Sequence, residues 1–423
     1  MEQPSRILIL SASAGAGHIR AAQAIEHAVC AKGACAVRHV DALDHTTKMF
    51  RRLYQKAYID LVNDAPQALG LLYDHLDKPW KYERRRLAFD RLNTRPFVEL
   101  IKGYDPAWAV CTHFLPAEIV SWLKARRRLR ARLAVVVTDF DVHAMWLHRH
   151  VDRYFVALEE TREHLVRLGI PPARIAVTGI PIDPLFAAPF DKQALRRKHG
   201  LEPSRTTILI AAGGFGVGPV ERIVGSMRQL THRAQVVVIC GRSEDLRRRV
   251  EKVASAQGDG NVTFKVIGFT SEMHELMAAA DLLVGKPGGL TTSEALARGL
   301  ALVVVNPIPG QEERNADHLL EQGAAIRCNN LPVIAWKIDR LLDDPARLSK
   351  MQERARQLGR PGAASEIADG LLPRQTVRVD RGAGDVQGSL RPDISEGAGG
   401  GRTNPGNLYL MKSRCQHKAR LTD

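Results

Sequence analysis

Short apolar runs that alternate with amphipathic, helix-like segments are the feature that most constrains the fold of this chain. The runs are rich in Val, Ile and Leu, as in RLAVVV (residues 132–137) and ALVVV (residues 301–305). Continuous apolar strands are typical of parallel sheets whose two faces are both covered by helices. The alternation therefore predicts an α/β fold, and 423 residues are enough for two ordinary domains.

The pattern is interrupted by a polar link at residues 186–203 and then starts again. We predict two doubly wound, Rossmann-like domains that face a cleft, over residues 1–187 and 188–373, with the last helices (about 345–372) returning to the first domain. Ligands of such sheets bind beyond the carboxyl ends of the strands. Residues 374–423 lose the apolar periodicity and are rich in Gly, Arg, Asp and Ser, which predicts a disordered or atypical tail.

The composition favours an anionic partner, because the formal net charge is +15. No nucleic-acid-binding module is recognisable and aromatic residues make up 5% of the chain, so we predict no nucleic-acid partner. The six cysteines are scattered without a CxxC pair, which argues against a zinc ribbon or a disulfide framework and predicts a reducing compartment. No apolar run approaches the roughly 18 residues of a membrane span.

A long insertion at about residues 45–95 does not fit the strand–helix alternation. It mixes aromatic and basic residues, and a second basic cluster follows at residues 126–132. Charge runs are usually solvated helix faces, but beside aromatic residues they also suit an anionic membrane surface. We expect this region to contact the membrane and the acceptor, with candidate residues Tyr54, Tyr58, Trp80, Tyr82, Arg84, Arg85 and Arg86.

The stretch ILILSASAGAGHIRAA (residues 7–22) reads as a strand, a bare glycine turn and a helix. A helix that starts after such a turn presents free N–H groups and a favourable dipole to an anion. His18 stands near the helix start, where it either bonds the backbone or acts as a general base. Asp139 and His143 are the alternative bases or orienting partners.

Two further glycine-rich turns follow strands in the second half. In AAGGFGVG (residues 211–218), four glycines within six positions permit close approach of a phosphate or sugar. In KPGGLTTSEALARG (residues 286–299), Thr291, Thr292 and Ser293 are predicted to cap a helix with Glu294 in its first turn. Such a cap can hold a diphosphate while the carboxylate accepts hydrogen bonds from a ribose diol; the alternative is a capped helix whose Glu294 serves the dipole.

Polar residues also follow the strand before NPIPGQEERNADHL (residues 306–319). Gln311, Glu312 and Asn315 are predicted to reach the same cleft, where they suit the hydroxyls of a sugar. The alternative is a solvated loop.

Six separated motifs occur at compatible spacing over about residues 1–370. In chain order they are SASAGAGHIRAA, VVVTDFDVHAMWLH, VTGIPIDPLF, AAGGFGVG, KPGGLTTSEALARG and PGQEERNADHL. Together they resemble the monogalactosyldiacylglycerol synthase and processive diacylglycerol glucosyltransferase family, which is similar to the N-acetylglucosaminyl transferase that completes lipid II. The resemblance implies a GT-B fold, a nucleotide-sugar donor, inversion at the anomeric carbon and a lipid acceptor at the membrane surface.

The resemblance also implies roles for individual residues. His18 matches the histidine of the first glycine loop, Glu294 the acidic residue at the donor ribose, and Gln311 with Glu312 the pair at the donor sugar. The predicted nucleotide-sugar site comprises Gly213, Gly214, Phe215, Gly268, Phe269, Gly288, Gly289, Thr291, Thr292, Glu294, Gln311, Glu312 and Asn315. Ser243 departs from the asparagine expected in relatives.

We therefore predict transfer of a hexose from UDP-glucose or UDP-galactose to diacylglycerol or a related lipid. Helix N-termini would stabilise the leaving diphosphate, so this reasoning requires no metal or other cofactor. We expect a cytoplasmic protein attached peripherally to the inner face of the cell membrane. A UDP-sugar 2-epimerase and a non-catalytic UDP-sugar-binding protein are the alternatives.

Overall fold

The structure is a computed structural model that describes residues 5–13, 15–33, 35–52, 66–80, 94–213, 218–256 and 260–372. Within these residues the strands form two parallel six-stranded sheets, which confirms the predicted α/β fold. The first sheet contains β1 (Ser5–Ser11), β2 (Cys35–Asp41), β3 (Trp108–Cys111), β4 (Arg132–Val136), β5 (Arg153–Val156) and β6 (Ile175–Val177). The second contains β7 (Thr206–Ala211), β8 (Ala234–Ile239), β9 (Val262–Ile267), β10 (Leu282–Gly285), β11 (Ala301–Val305) and β12 (Ala325–Cys328).

Helices connect the strands and cover both sheets. In the first half they are α1 (Ala16–Ala31), α2 (Pro66–Leu76), α3 (Arg95–Tyr104), α4 (Phe114–Ala125) and α5 (Glu159–Arg167). Those that follow are α6 (Lys192–Lys198), α7 (Val220–Met227), α8 (Glu244–Ala254), α9 (Met273–Ala279), α10 (Gly289–Ala297), α11 (Gln311–Glu321), α12 (Ile334–Leu342), α13 (Pro345–Leu358) and α14 (Ala363–Leu371). The helix α6 lies within the segment that the sequence suggested was a polar link.

The strand order places a switch point in each sheet. The orders are β2-β1-β3-β4-β5-β6 and β12-β11-β10-β7-β8-β9, and all strand pairs are parallel. The direction in which successive strands are added to the sheet therefore reverses between β1 and β3 and between β7 and β10. Ligands bind at such points, beyond the carboxyl ends of the strands. The glycine turns after β1, β7 and β10 all lie there.

Apolar side chains are buried on both faces of each sheet, as the continuous Val and Ile runs predicted. The last helix, α14, packs through Ile367 and Leu371 into the core beside Ile7 and Ile9 of β1. The preceding helix, α13, stays with the second sheet, where its Ala355 belongs to the core beside Leu296. Of the two helices predicted to return to the first domain, α14 therefore does so and α13 does not.

The two sheets meet closely at the start of α10. A Cβ on Gly289 would overlap the carbonyl oxygen of Thr138, and a Cβ on Gly17 would contact Leu290 at 3.6 Å. Any residue other than glycine at 289 would hold the second domain away from the loop that follows β4. Gly289 thus allows the two domains to come into contact. The sequence had suggested only that it lets the donor approach the backbone.

The basic cluster at residues 126–132 does not lie beside the cleft. Arg126, Arg127, Arg128 and Arg130 are exposed and precede β4, which begins at Arg132. They therefore lie at the amino ends of the strands, whereas the cleft lies at the carboxyl ends. The cluster and the cleft therefore lie at opposite ends of the first sheet, and membrane contact of the cluster stays a prediction.

Of the predicted membrane residues, Trp80 is within the described part of the chain. It packs half-buried against the core of the first sheet, with the Arg149 guanidinium 5.2 Å from its ring centroid. This placement differs from that of a projecting aromatic anchor. Tyr54, Tyr58, Tyr82, Arg84, Arg85 and Arg86 lie outside the described residues. No helix of the described residues is long and apolar enough to cross a membrane.

Candidate active site

A cavity of about 770 Å³ lies between the carboxyl ends of the two sheets. Nine of the predicted site residues line it: His18, Asp139, Gly213, Phe269, Gly288, Gly289, Thr291, Glu294 and Gln311. They come from six segments that are far apart in sequence, and both domains contribute. Gly268, Thr292, Glu312, Asn315 and His143 do not line the cavity. Gly214 and Phe215 lie outside the described residues.

His18 is the third residue of α1 and stands half-buried in the cavity wall. Its Nδ1 atom lies 2.9 Å from the carbonyl oxygen of Thr112 and 3.1 Å from the hydroxyl of Thr138. Because a carbonyl oxygen can only accept, Nδ1 carries the proton and Nε2 carries the lone pair. Burial lowers the pKa of His18 to about 4, against the opposing effect of the Thr112 hydrogen bond. The ring is therefore neutral at pH 7 and able to accept a proton.

Thr112 fixes His18 at two points, since its hydroxyl also donates to the His18 carbonyl oxygen at 2.9 Å. Thr112 follows β3 and Thr138 follows β4, so the carboxyl ends of two strands hold the ring. The ring of His113 packs edge-on against it, with 4.6 Å between centroids. These contacts allow His18 little rotational freedom.

Asp139 is a buried carboxyl that joins the two domains. The side-chain amide of Gln311 donates to both of its oxygens at 2.8 Å, and Asn315 donates to Oδ1 at 3.4 Å. Burial raises the pKa of Asp139 to about 6, and the hydrogen bonds from Gln311 and Asn315 oppose that shift. Asp139 thus remains an alternative base, but its contacts also suit a role in holding Gln311.

His143 is buried away from the cavity, with both ring nitrogens in hydrogen bonds. Nδ1 accepts from the Met145 N–H at 3.1 Å, so Nε2 is the nitrogen that donates to the Tyr73 carbonyl at 2.9 Å. A base must reach the proton that it removes. The structure therefore favours a structural role for His143 over the catalytic role suggested by the sequence.

Glu294 lies in the second turn of α10, which begins at Gly289 after the N-cap Gly288. This position contradicts the prediction that Thr291, Thr292 and Ser293 cap the helix, because no side chain caps it. The proline and glycine pair starts the helix earlier and places Thr292 in the buried interior. Burial raises the pKa of Glu294 to about 7, Arg20 lowers it and Asp183 raises it further.

Gln311, Glu312 and Asn315 lie on the first turns of α11 rather than on a solvated loop. Glu312 accepts from the Ile308 N–H at 2.7 Å, and burial raises its pKa to about 7, with Lys286 opposing. Asn315 is fully buried and bridges the domains, accepting from the Phe140 N–H at 3.0 Å and donating to the Pro287 carbonyl at 3.1 Å. Of the three, Gln311 alone lines the cavity.

The insertion reaches the same loop through α2. A Cβ on Gly70 would lie 2.6 Å from the Pro309 side chain, and a Cβ on Gly310 would lie 2.5 Å from the Tyr73 ring. Arg314 of α11 binds Asp77, directly after α2, at 2.6 Å and Asp141 at 2.9 Å. The described part of the insertion around α2 therefore rests on the loop that leads into Gln311.

Sequence reasoning missed four residues of this region. Thr112 belongs to no motif, and Thr138 lies within the motif at residues 135–148 without having been singled out. The position of both residues at strand ends was the available signal. Arg20 was visible as a cation two residues after His18, and it pairs with Glu294 at 2.6 Å across the cleft. Arg314 was hidden within a helical charge pattern.

This chain resembles known proteins over most of its length. Residues 18–182 match the family described as Monogalactosyldiacylglycerol (MGDG) synthase, and residues 191–358 match Glycosyl transferases group 1. The processive diacylglycerol beta-glucosyltransferase of Bacillus cereus is 31% identical over 382 residues, which cover 88% of this chain and 94% of that protein. This chain belongs to the processive diacylglycerol beta-glucosyltransferase family. The family predicted from the six motifs is confirmed, and membership favours a transferase over the epimerase alternative.

Solved structures agree on the fold of this family member. MurG of Acinetobacter baumannii is 19% identical, with a TM-score of 0.60, over 87% of this chain and 99% of that one. UDP-GlcNAc 2-epimerase from Neisseria meningitidis, bound to UDP-GlcNAc, is 14% identical, with a TM-score of 0.55, over 87% and 99%. At these identities the likeness shows the fold alone, and the predicted GT-B fold is confirmed.

Proposed function

We propose that this protein is an inverting glycosyltransferase that moves glucose from UDP-glucose to the hydroxyl of diacylglycerol at a membrane surface. The observation that carries the proposal is the neutral His18, whose tautomer is fixed by Thr112 in a cavity shared with Glu294 and Gln311 of the other domain. A base and a donor site on opposite walls are what a direct displacement needs.

The reaction needs a nucleophile, a base and a stabilised leaving group. The acceptor oxygen attacks the anomeric carbon, the bond from that carbon to the β-phosphate oxygen breaks, and UDP leaves with the electron pair. The hydroxyl proton passes to Nε2 of His18 as the new bond forms. The start of α10, at Gly289, presents free N–H groups at the cavity, which suit the negative charge of the departing diphosphate.

The choice of glucose rests on the relatives, which are named beta-glucosyltransferases, whereas the matched family model is described as an MGDG synthase. Initial rates with UDP-glucose and UDP-galactose on the same vesicles test this choice. A clear preference for UDP-galactose would overturn the donor and leave the transfer proposal in place.

A paired measurement on His18→Ala tests the base. Turnover should fall roughly 10²–10⁴-fold, the usual span for general base catalysis, while UDP affinity should change little. His150→Ala is the matched control, because His150 is exposed and precedes β5, at the amino ends of the strands and away from the cavity. Near-normal turnover of His18→Ala would move the base to Asp139, and loss of UDP binding would make His18 a donor contact.

Membrane attachment through the insertion is supported by an exposed apolar pair on α2. Leu71 and Leu72 are 74% and 46% exposed, on the helix that packs through Gly70 against Pro309. The double variant Leu71→Glu/Leu72→Glu should cosediment less with phosphatidylglycerol vesicles. Trp336→Glu, which removes an equally prominent apolar side chain from α12, should bind as the wild type does. Equal binding of both variants would argue against docking through α2.

A further inference from the structure

Arg20 and Glu294 form an ion pair between the two domains inside the cavity. Nη2 of Arg20 lies 2.6 Å from Oε1 of Glu294. The arginine side chain is 41% exposed and belongs to α1, whereas the glutamate side chain is 2% exposed and belongs to α10. The Arg20 guanidinium also lies 5.8 Å from the centroid of the Phe186 ring. All three residues line the cavity.

Without Arg20, the Glu294 carboxylate would be poor in hydrogen-bond partners. Its Oε2 atom is buried and makes no hydrogen bond to any of the described residues. A buried carboxylate that lacks partners is costly, so such a group prefers the protonated form. Burial accordingly raises the pKa of Glu294, and the charge of Arg20 is what opposes that rise.

Other charged groups near α10 do not replace Arg20. Asp183, next to the turn at residues 184–187, disfavours the carboxylate, and its own partner is His27 of α1 at 3.8 Å. Arg298, the C-cap residue of α10, donates to the carbonyl groups of Leu185 and Ala188. Arg356 of α13 pairs with Glu353 at 3.1 Å.

We propose that Arg20 is a positioning residue for donor binding: from the first domain, it keeps Glu294 of the second domain ionised and able to accept the hydroxyls of the donor ribose. The inference rests on the proposed function, since it takes Glu294 as the ribose acceptor. Because Arg20 is well exposed, its guanidinium can pivot to admit the ribose while its charge stays close. Donor affinity then depends on the apposition of the two domains.

The test is calorimetry of UDP-glucose binding to the full chain between pH 6.0 and 8.5. Each phosphate of this probe carries two substituents and the range lies below the pKa of the uracil N3–H, so the charge of the probe is constant over that range. Wild-type affinity should rise with pH through about 7, as Glu294 ionises. In Arg20→Ala the midpoint should move up by roughly one pH unit or more, the usual effect of losing an opposite charge at this distance. Affinity at pH 7 should fall about fivefold or more and recover at alkaline pH.

Two variants make the result specific. Arg20→Lys keeps the charge and should hold the midpoint near that of the wild type, whereas Glu294→Gln should bind weakly with no dependence on pH. A misfolded Arg20→Ala would not recover at high pH. An unchanged midpoint in Arg20→Ala would overturn the role of Arg20, while failure of the wild type to bind UDP at pH 7.5 would overturn the donor site itself.

Discussion

Replacing Gly289 with alanine should disturb the contact between the two domains. An added Cβ would lie 3.0 Å from the carbonyl carbon of Thr138 and closer still to its oxygen. Carbon atoms in good contact are about 3.5–4.0 Å apart, and here both partners are backbone. Relief therefore requires the start of α10 to move by on the order of 1 Å relative to the loop after β4.

That displacement would change the geometry around His18 and the cavity. The Thr138 hydroxyl lies 3.1 Å from Nδ1 of His18, and Gly289 lines the cavity. A misplacement of about 1 Å can cost roughly 10²-fold in rate. We expect Gly289→Ala to lose turnover on this order with saturating UDP-glucose and diacylglycerol vesicles. Its free energy of unfolding should fall by about 1–3 kcal/mol, as for other overpacked contacts.

Gly103→Ala is the matched control. Gly103 lies in α3, and a Cβ there would have no atom within 4 Å, so turnover should be unchanged and stability equal or slightly higher. If Gly289→Ala turned over within twofold of the wild type while remaining folded, the inference that this contact sets the active geometry would be wrong.

Two further predictions concern groups that join the domains. Arg314→Ala should lower the free energy of unfolding by about 1–3 kcal/mol, because it removes hydrogen bonds to the Asp77 and Asp141 carboxylates. Arg314→Lys should recover part of the lost stability. Urea denaturation of both variants measures the free energy of unfolding. Asp139→Asn should change the pH dependence of stability. The pKa of Asp139 is raised to about 6, so the wild type loses stability as pH rises from about 4 to about 6, and the variant should not. Melting temperatures that keep a constant difference over this range would contradict the prediction.

Local patterns were sufficient to predict the elements around the site. The Val-rich runs at β4 and β11 became buried parallel strands, and the glycine turns after β1, β7 and β10 lie at the carboxyl ends of their strands. For three residues the contacts differ from those that the sequence suggested. Thr292 is buried within α10 instead of capping it, and His143 is tied to Met145 and Tyr73. Asn315 bridges two loops away from the cavity lining.

By itself, the sequence determined the alternation of strands and helices, the glycine turns and the family, because these depend on neighbouring residues and on ordered motifs. The tertiary structure determined that His18 is neutral with a fixed tautomer, that Gly289 is a domain contact, and that Arg20 meets Glu294. Each of these depends on residues that are more than 90 positions apart in the sequence; His18 and Thr112, for example, are separated by 94 positions. Burial and opposite charges across a cleft set the pKa values of the site, and periodicity along the chain carries no information about either.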